Sequence, residues 1–153
     1  MTTGPHAKLA ELGLSLPELV PPLAAYVPAV QSGRQVYVSG QLPIADGKLL
    51  ATGKVGAGVS AEQAKDLAER CALNALAAID ALVGLETVVK IVKLTGFVAS
   101  AEGFTGQPGV VNGASELFGT VFGEAGRHAR SAVGVAELPL GAPVEVEVIV
   151  EVA

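Results

Sequence analysis

The chain has 153 residues, 50% of them hydrophobic and 16% charged, with ten Lys and Arg against fifteen Asp and Glu. This length suits a single domain with a sizeable core, and the apolar content excludes a disordered chain. No charge-free apolar run reaches the roughly 18 residues of a membrane span, and the N-terminus lacks the pattern of a secretion signal. We therefore expect a cytoplasmic protein that does not bind membranes.

Charge and cysteine content exclude further classes. A net charge of −5 opposes a broad nucleic-acid-binding face. The single cysteine, Cys71, allows neither an internal disulfide nor a structural zinc site, and His6 and His128 are isolated from it, so no metal is expected. The low charge content also suggests that other subunits cover part of the apolar surface.

The predicted elements begin with an N-terminal extension, residues 1–22, that contains a short helix over about residues 5–13 and a Pro-rich segment. A first strand is predicted from Leu23, followed by a turn at residues 31–33 and a second strand over 34–42. Pro28 confines the first strand to an edge or a bulge. The Gly-rich stretch that follows is predicted to be mostly loop, with a tight turn at Asp46-Gly47.

Residues 61–83 form the clearest predicted helix. Ser60 and Gln63 match a capping box at its start, and Gly84 ends it. Apolar residues recur at helical spacing along one stripe, and Cys71 lies on that stripe. We therefore interpret Cys71 as a core residue rather than a nucleophile.

The second half predicts a strand at 88–98, a helix at about 109–122, a strand near 129–137, a turn at 138–141 and a last strand at 143–152. In the last strand five valines alternate with Glu145, Glu147, Ile149 and Glu151, so the valines share one face. The order β-β-α-β-α-β-β predicts an α+β two-layer sandwich over residues 23–153, with two helices on one sheet face. The uncovered face favours a symmetric oligomer.

Candidate functional residues lie at strand ends. Arg130 opens a strand, where its guanidinium can hold a carboxylate through two hydrogen bonds or pair with a surface Glu. Glu145, on the neighbouring strand, either orients a water or belongs to a solvated Glu row. Tyr26 could present a phenol at an edge, and Ser39-Gly40 ends a strand. No phosphate loop or nucleophile elbow is present.

These residues in this order resemble the RidA/YjgF family. The resemblance covers about residues 23–153 and rests on Tyr26-Val27, the segment 38–43, the segment 110–112 and the C-terminal block 129–153. Within that block, an Arg-Ser step opens a strand, a Leu-Pro turn follows eight residues later, and a hydrophobic-Glu-hydrophobic step comes after it.

The resemblance implies a chorismate-mutase-like homotrimer with a cleft between each pair of subunits and no metal or organic cofactor. Arg130 would then clamp a substrate carboxylate, and Glu145 would orient the hydrolytic water. Tyr26 would line the cleft, with the wall formed by Ser39, Gly40 and Asn112. Active members usually carry Cys where this chain has Ala132, a position that would still bind substrate through its backbone N–H. His128 stands where a small residue or Pro is common.

Three functions remain open. The first is hydrolytic deamination of reactive enamines and imines of the 2-aminoacrylate type, giving keto acids and ammonia. The second is a non-catalytic trimer that binds small carboxylates or a partner protein, which Ala132 favours. The third, an endoribonuclease or translation inhibitor as ascribed to some relatives, is opposed by the acidic composition and the six aromatic residues.

Overall fold

The computed structural model describes residues 4–19 and 25–153. Its helices and strands, in chain order, are α1 (Pro5–Glu11), β1 (Ala29–Ser32), β2 (Gln35–Gln41), β3 (Ile44–Ala45), β4 (Lys48–Leu49), α2 (Ala61–Val83), β5 (Val88–Ala99), α3 (Gln107–Phe122), β6 (Ala129–Val135) and β7 (Val144–Val152). The main sheet has the strand order β1-β2-β7-β5-β6, in which only β5 and β6 run parallel. The predicted α+β sandwich, with α2 and α3 packed on one sheet face, is confirmed. No described helix is long and apolar enough to cross a membrane.

Helix α2 has the predicted bounds because both ends are chemically marked. The Gln63 backbone N–H donates to Ser60 Oγ at 3.1 Å, and Gly84 takes the positive φ of 83° that ends the helix. Cys71 is fully buried in the core, as predicted, and burial raises the pKa of its thiol. The cysteine is therefore a small apolar packing residue.

The valine alternation of β7 divides the sheet into two faces. Its five valines lie against the helices and are at most 1% exposed, whereas the residues between them are half-buried or exposed. The face away from the helices carries apolar side chains, since Tyr37 pairs in register with Ile149, and Phe97 with Val133. Tyr37 is 45% exposed and Val133 42% exposed. A sheet face that carries these apolar side chains together with Glu145, Glu147 and Glu151 is therefore left without helices over it.

The first hairpin differs from the predicted one. Residues 25–28 are not in a strand, and the start predicted at Leu23 lies outside the described residues. β1 runs instead over Ala29–Ser32, and the turn is Gly33-Arg34, where Gly33 adopts a φ of 62°. Pro28 has no N–H for a sheet ladder, which explains why the edge strand begins after it.

The other corrections are small. The first helix ends at Glu11 rather than near residue 13, and the stretch predicted to be loop contains the short β3-β4 hairpin. Asp46 and Gly47, both with positive φ, form the turn of that hairpin, as their dipeptide signal predicts. The N-terminal extension packs on the domain, because Leu9 is only 2% exposed and Leu14, Leu16 and Leu19 lie against the core.

Candidate active site

Arg130 lies on the helix-facing side of β6. It pairs in register with the buried Leu94, and its Nη1 donates to Asn112 Oδ1 at 2.7 Å and to Ser115 Oγ at 3.2 Å. Asn112 and Ser115 are three residues apart on α3, so both side chains reach the same face of that helix. Two of the predicted site residues, Arg130 and Asn112, are therefore in direct contact, and Ala132 is half-buried further along the same strand.

His128 extends this cluster. Its Nδ1 lies 2.6 Å from the Gly126 carbonyl oxygen, and its Nε2 lies 2.9 Å from Ser115 Oγ. A carbonyl oxygen can only accept, so Nδ1 carries the proton of the neutral ring and Nε2 accepts the Ser115 hydroxyl. His128 was noted from the sequence, whereas Ser115 was not. The available signal was the 112–115 spacing on a helix that packs beside β6.

Glu145 lies on β7 beside the bulge that interrupts β2 between Val38 and Gln41. Its carboxylate lies against Gly40, where a Cβ would overlap the Glu145 carboxylate oxygen. Burial raises the pKa of Glu145, and the negative charge of Glu147 raises it further. Two of the predicted site residues, Gly40 and Glu145, are therefore in contact, and the absence of a side chain at Gly40 leaves room for the carboxylate.

A cavity of about 930 Å³ opens above this carboxylate, with Tyr26, Gly40 and Glu145 in its lining. Ser39 does not line it. Its Oγ donates at 2.7 Å to the Val27 carbonyl, which ties β2 to the segment that carries Tyr26.

The other walls of this cavity were not predicted from the sequence. Residues 15 and 17–19 of the N-terminal extension line one side, and Arg70 and Asn74 of α2 line another. The Arg70 Nε donates to the Ile44 carbonyl at 3.1 Å, and the Asn74 amide donates to the Leu42 carbonyl at 2.9 Å and to that of Ile44 at 3.0 Å. These two side chains therefore fix the loop that precedes β3.

Arg130 and Glu145 do not meet within one chain. The prediction that they lie on neighbouring strands is wrong, because β5 lies between β6 and β7, with Leu94 opposite Arg130 and Phe97 opposite Glu145. Two strand spacings and three residues along the strand separate the two backbones by roughly 14 Å. Arg130 points toward α3, whereas Glu145 alternates with the valines beneath the helices, so the side chains leave opposite faces. A site that uses both needs two copies of the chain.

Comparison with known protein families shows the class of protein to which this fold belongs. A family model described as Endoribonuclease L-PSP matches residues 18–152. The chain belongs to this family, which is the RidA/YjgF family that its sequence resembles.

The similarity to individual relatives covers nearly the whole chain. Protein TCP17 of Trypanosoma cruzi is 48% identical over 147 residues, which is 95% of this chain and 92% of the relative. A 2-iminobutanoate/2-iminopropanoate deaminase of Dermatophagoides farinae is 33% identical over 137 residues, 90% of this chain and 93% of the relative. The crystal structure of protein Atu1372 from Agrobacterium tumefaciens, of unknown function, is 47% identical with a TM-score of 0.89, covering 97% of this chain and 91% of that one.

Proposed function

We propose that the protein hydrolyses carboxylate-bearing enamine and imine intermediates of the 2-aminoacrylate type to keto acids and ammonia. The observation that carries this proposal is the half-buried Glu145 carboxylate, whose pKa is raised and which lies against Gly40 in a cavity large enough for a small acid. A carboxylate whose pKa lies above its ordinary value is a stronger base for a bound water. The deaminase from Dermatophagoides farinae supports the same chemistry.

The reaction needs few groups. The enamine first tautomerises to an imine, whose protonated C=N carbon is already electrophilic. Glu145 accepts a proton from water as the oxygen bonds to that carbon, and then returns this proton to the nitrogen of the resulting carbinolamine. Ammonia leaves as the C–N bond breaks, and the carbonyl forms as the hydroxyl proton passes to solvent. Arg130 holds the substrate carboxylate through the guanidinium N–H groups that Asn112 and Ser115 leave unused.

The active assembly in this proposal is a homotrimer with its sites between subunits. Arg130 of one copy faces Glu145 of the next, which resolves their separation within one chain. The apolar side chains on the face of the sheet away from the helices, such as Tyr37 and Val133, are then buried between copies. Tyr26 forms the wall beside Glu145, Ser39 holds the segment that carries Tyr26, and Ala132 contributes its backbone N–H beside Arg130.

The direct test of the function is ammonia release from 2-aminoacrylate generated in situ. We expect Arg130→Ala to lower kcat/KM by about 10²-fold, because a charge-assisted bidentate hydrogen bond to the substrate carboxylate is lost. Arg34→Ala is the matched control, since the Arg34 side chain donates to the Val152 carbonyl at the opposite end of β2 from the bulge beside Glu145. Equal rates in wild type and Arg130→Ala would contradict the assignment of Arg130.

Replacing Gly40 tests the placement of the carboxylate. In Gly40→Ala the new methyl group must displace the flexible end of Glu145 rather than backbone, so activity should fall by at least about tenfold with little loss of stability. Gly58→Ala is the control, because a Cβ there meets nothing within 4 Å. Full activity in Gly40→Ala, with an unchanged melting temperature, would show that the position of this carboxylate is irrelevant.

A second function keeps one observation in its favour, namely Ala132 at the position where active members usually carry Cys. The protein would then bind small carboxylates without turnover. Calorimetry with 2-oxobutyrate beside the ammonia assay separates the two functions, since tight binding with no hydrolysis of any imine would support binding alone. RNA cleavage is not proposed, because a net charge of −5 disfavours a polyanion.

A further inference from the structure

The cluster around Arg130 is a chain of hydrogen bonds with a fixed direction. The Gly126 carbonyl accepts from His128 Nδ1, and His128 Nε2 accepts the Ser115 hydroxyl hydrogen. Ser115 Oγ and Asn112 Oδ1 accept from Arg130 Nη1. In this state the Ser115 hydrogen is committed to His128, so Ser115 has no donor to offer a ligand at Arg130.

We propose that Ser115 and His128 form a proton relay beside Arg130, so that a carboxylate binds there together with one proton. When a proton from solvent enters His128 Nε2, that nitrogen becomes a donor to Ser115 Oγ. The Ser115 O–H then turns away from His128 and donates to the carboxylate oxygen. No covalent bond other than N–H forms, and the proton count balances.

The charges around His128 and Arg130 also favour coupling between carboxylate binding and protonation of His128. Among residues 4–19 and 25–153, neither His128 nor Arg130 has a carboxylate within ion-pair distance. A protonated His128 beside Arg130 therefore lacks a counter-charge until a carboxylate arrives.

The other charged groups on elements packed against His128 are engaged or of the same sign. Glu116 on α3 pairs with Lys65 at 3.0 Å, and Glu124 in the turn before β6 pairs with the exposed Arg127 at 3.7 Å. Lys93 on β5 pairs in register with Ala129 and adds positive charge. The ligand carboxylate therefore supplies the negative charge that His128 and Arg130 lack. Carboxylate binding favours protonation of His128, and protonation of His128 favours carboxylate binding to the same extent.

This inference rests on the proposed binding of carboxylates at Arg130, and calorimetry with 2-oxobutyrate tests it on the intact protein. Titration in buffers of different ionisation heat, between about pH 5.5 and 8, reports proton uptake directly. We expect uptake of up to one proton per ligand and an affinity that falls several-fold as the pH rises, because binding consumes a proton.

The chain offers a matched control, because it has two histidines. His128→Gln should still bind 2-oxobutyrate but without proton uptake or pH dependence. His6→Gln should behave as wild type, since His6 contacts Asp80 and Glu86, neither of which belongs to this cluster. Ser115→Ala should lose the uptake, whereas Ser115→Thr should retain it because the hydroxyl remains.

The outcomes separate the two claims. If wild type binds no 2-oxobutyrate at any pH, both the relay and the proposed function are overturned. If binding depends on Arg130 but proton uptake is absent in wild type, or is unchanged in His128→Gln, the relay alone is overturned. Proton uptake that disappears in His128→Gln and Ser115→Ala, and persists in His6→Gln and Ser115→Thr, supports it.

Discussion

Glu145→Gln is expected to lose about 10²- to 10³-fold in kcat for ammonia release, because the amide cannot accept the proton of the attacking water. The amide keeps nearly the same volume, so the packing against Gly40 persists and the protein should melt at nearly the same temperature. Single-turnover rates beside a thermal melt measure both quantities. Wild-type turnover in Glu145→Gln would remove the base from the mechanism.

The pH dependence of the wild-type rate also tests the assignment of Glu145 as the base. A base must be deprotonated to act, and burial together with the charge of Glu147 raises the pKa of Glu145. The rate should therefore fall on the acid side, with a midpoint above the ordinary Glu value. Glu147→Gln is the matched control, since it should stay active while the acid limb moves to lower pH. An acid limb that stays in place would contradict the coupling between the two carboxylates.

Gly113→Ala is expected to destabilise the fold by about 3 kcal/mol or more. Gly113 lies where α3 crosses α2, and a Cβ there would overlap the backbone carbonyl oxygen of Lys65. Backbone cannot turn aside as a side chain can, so the helices must separate and the core beneath them loosens. Chemical denaturation measures the loss.

The control for this prediction is on the same helix. A Cβ at Gly119 meets nothing within 4 Å, and the position is exposed. Gly119→Ala should therefore stabilise the protein by about 0.5–1 kcal/mol, through the better helix propensity of Ala. Equal effects of the two substitutions would show that the close crossing at Gly113 is unimportant.

Local signals in the sequence determine most of the fold. The Ser60 cap and Gly84 mark both ends of α2, and the alternation in β7 places its valines beneath the helices, because each signal acts over a few residues. The predicted start of β1 was wrong because the apolar run around Pro28 has the composition of a strand, but proline has no backbone N–H to donate to a neighbouring strand. The β3-β4 hairpin was not predicted because its strands have two residues each, which is too short to show an alternating pattern.

The site was harder to predict, because its contacts join distant elements. The bonds from Arg130 to Asn112 and Ser115 depend on how α3 lies beside β6, which no spacing in the sequence fixes. The N-terminal extension and Arg70 line the cavity beside Glu145 for the same reason, because tertiary packing brings these distant segments together. The opposite directions of Arg130 and Glu145 follow from the parallel register of β5 and β6 and became visible only in three dimensions.

The central claim is that one site takes Arg130 from one copy and Glu145 from another. Mixing the two inactive variants tests it most directly. Arg130→Ala and Glu145→Gln chains, refolded together in equal amounts, each supply what the other lacks at one kind of interface. Random assembly makes about one quarter of the interfaces intact in a closed ring. We expect ammonia release to return to about a quarter of the wild-type rate, and a mixture as inactive as its parents would contradict a site shared between two copies.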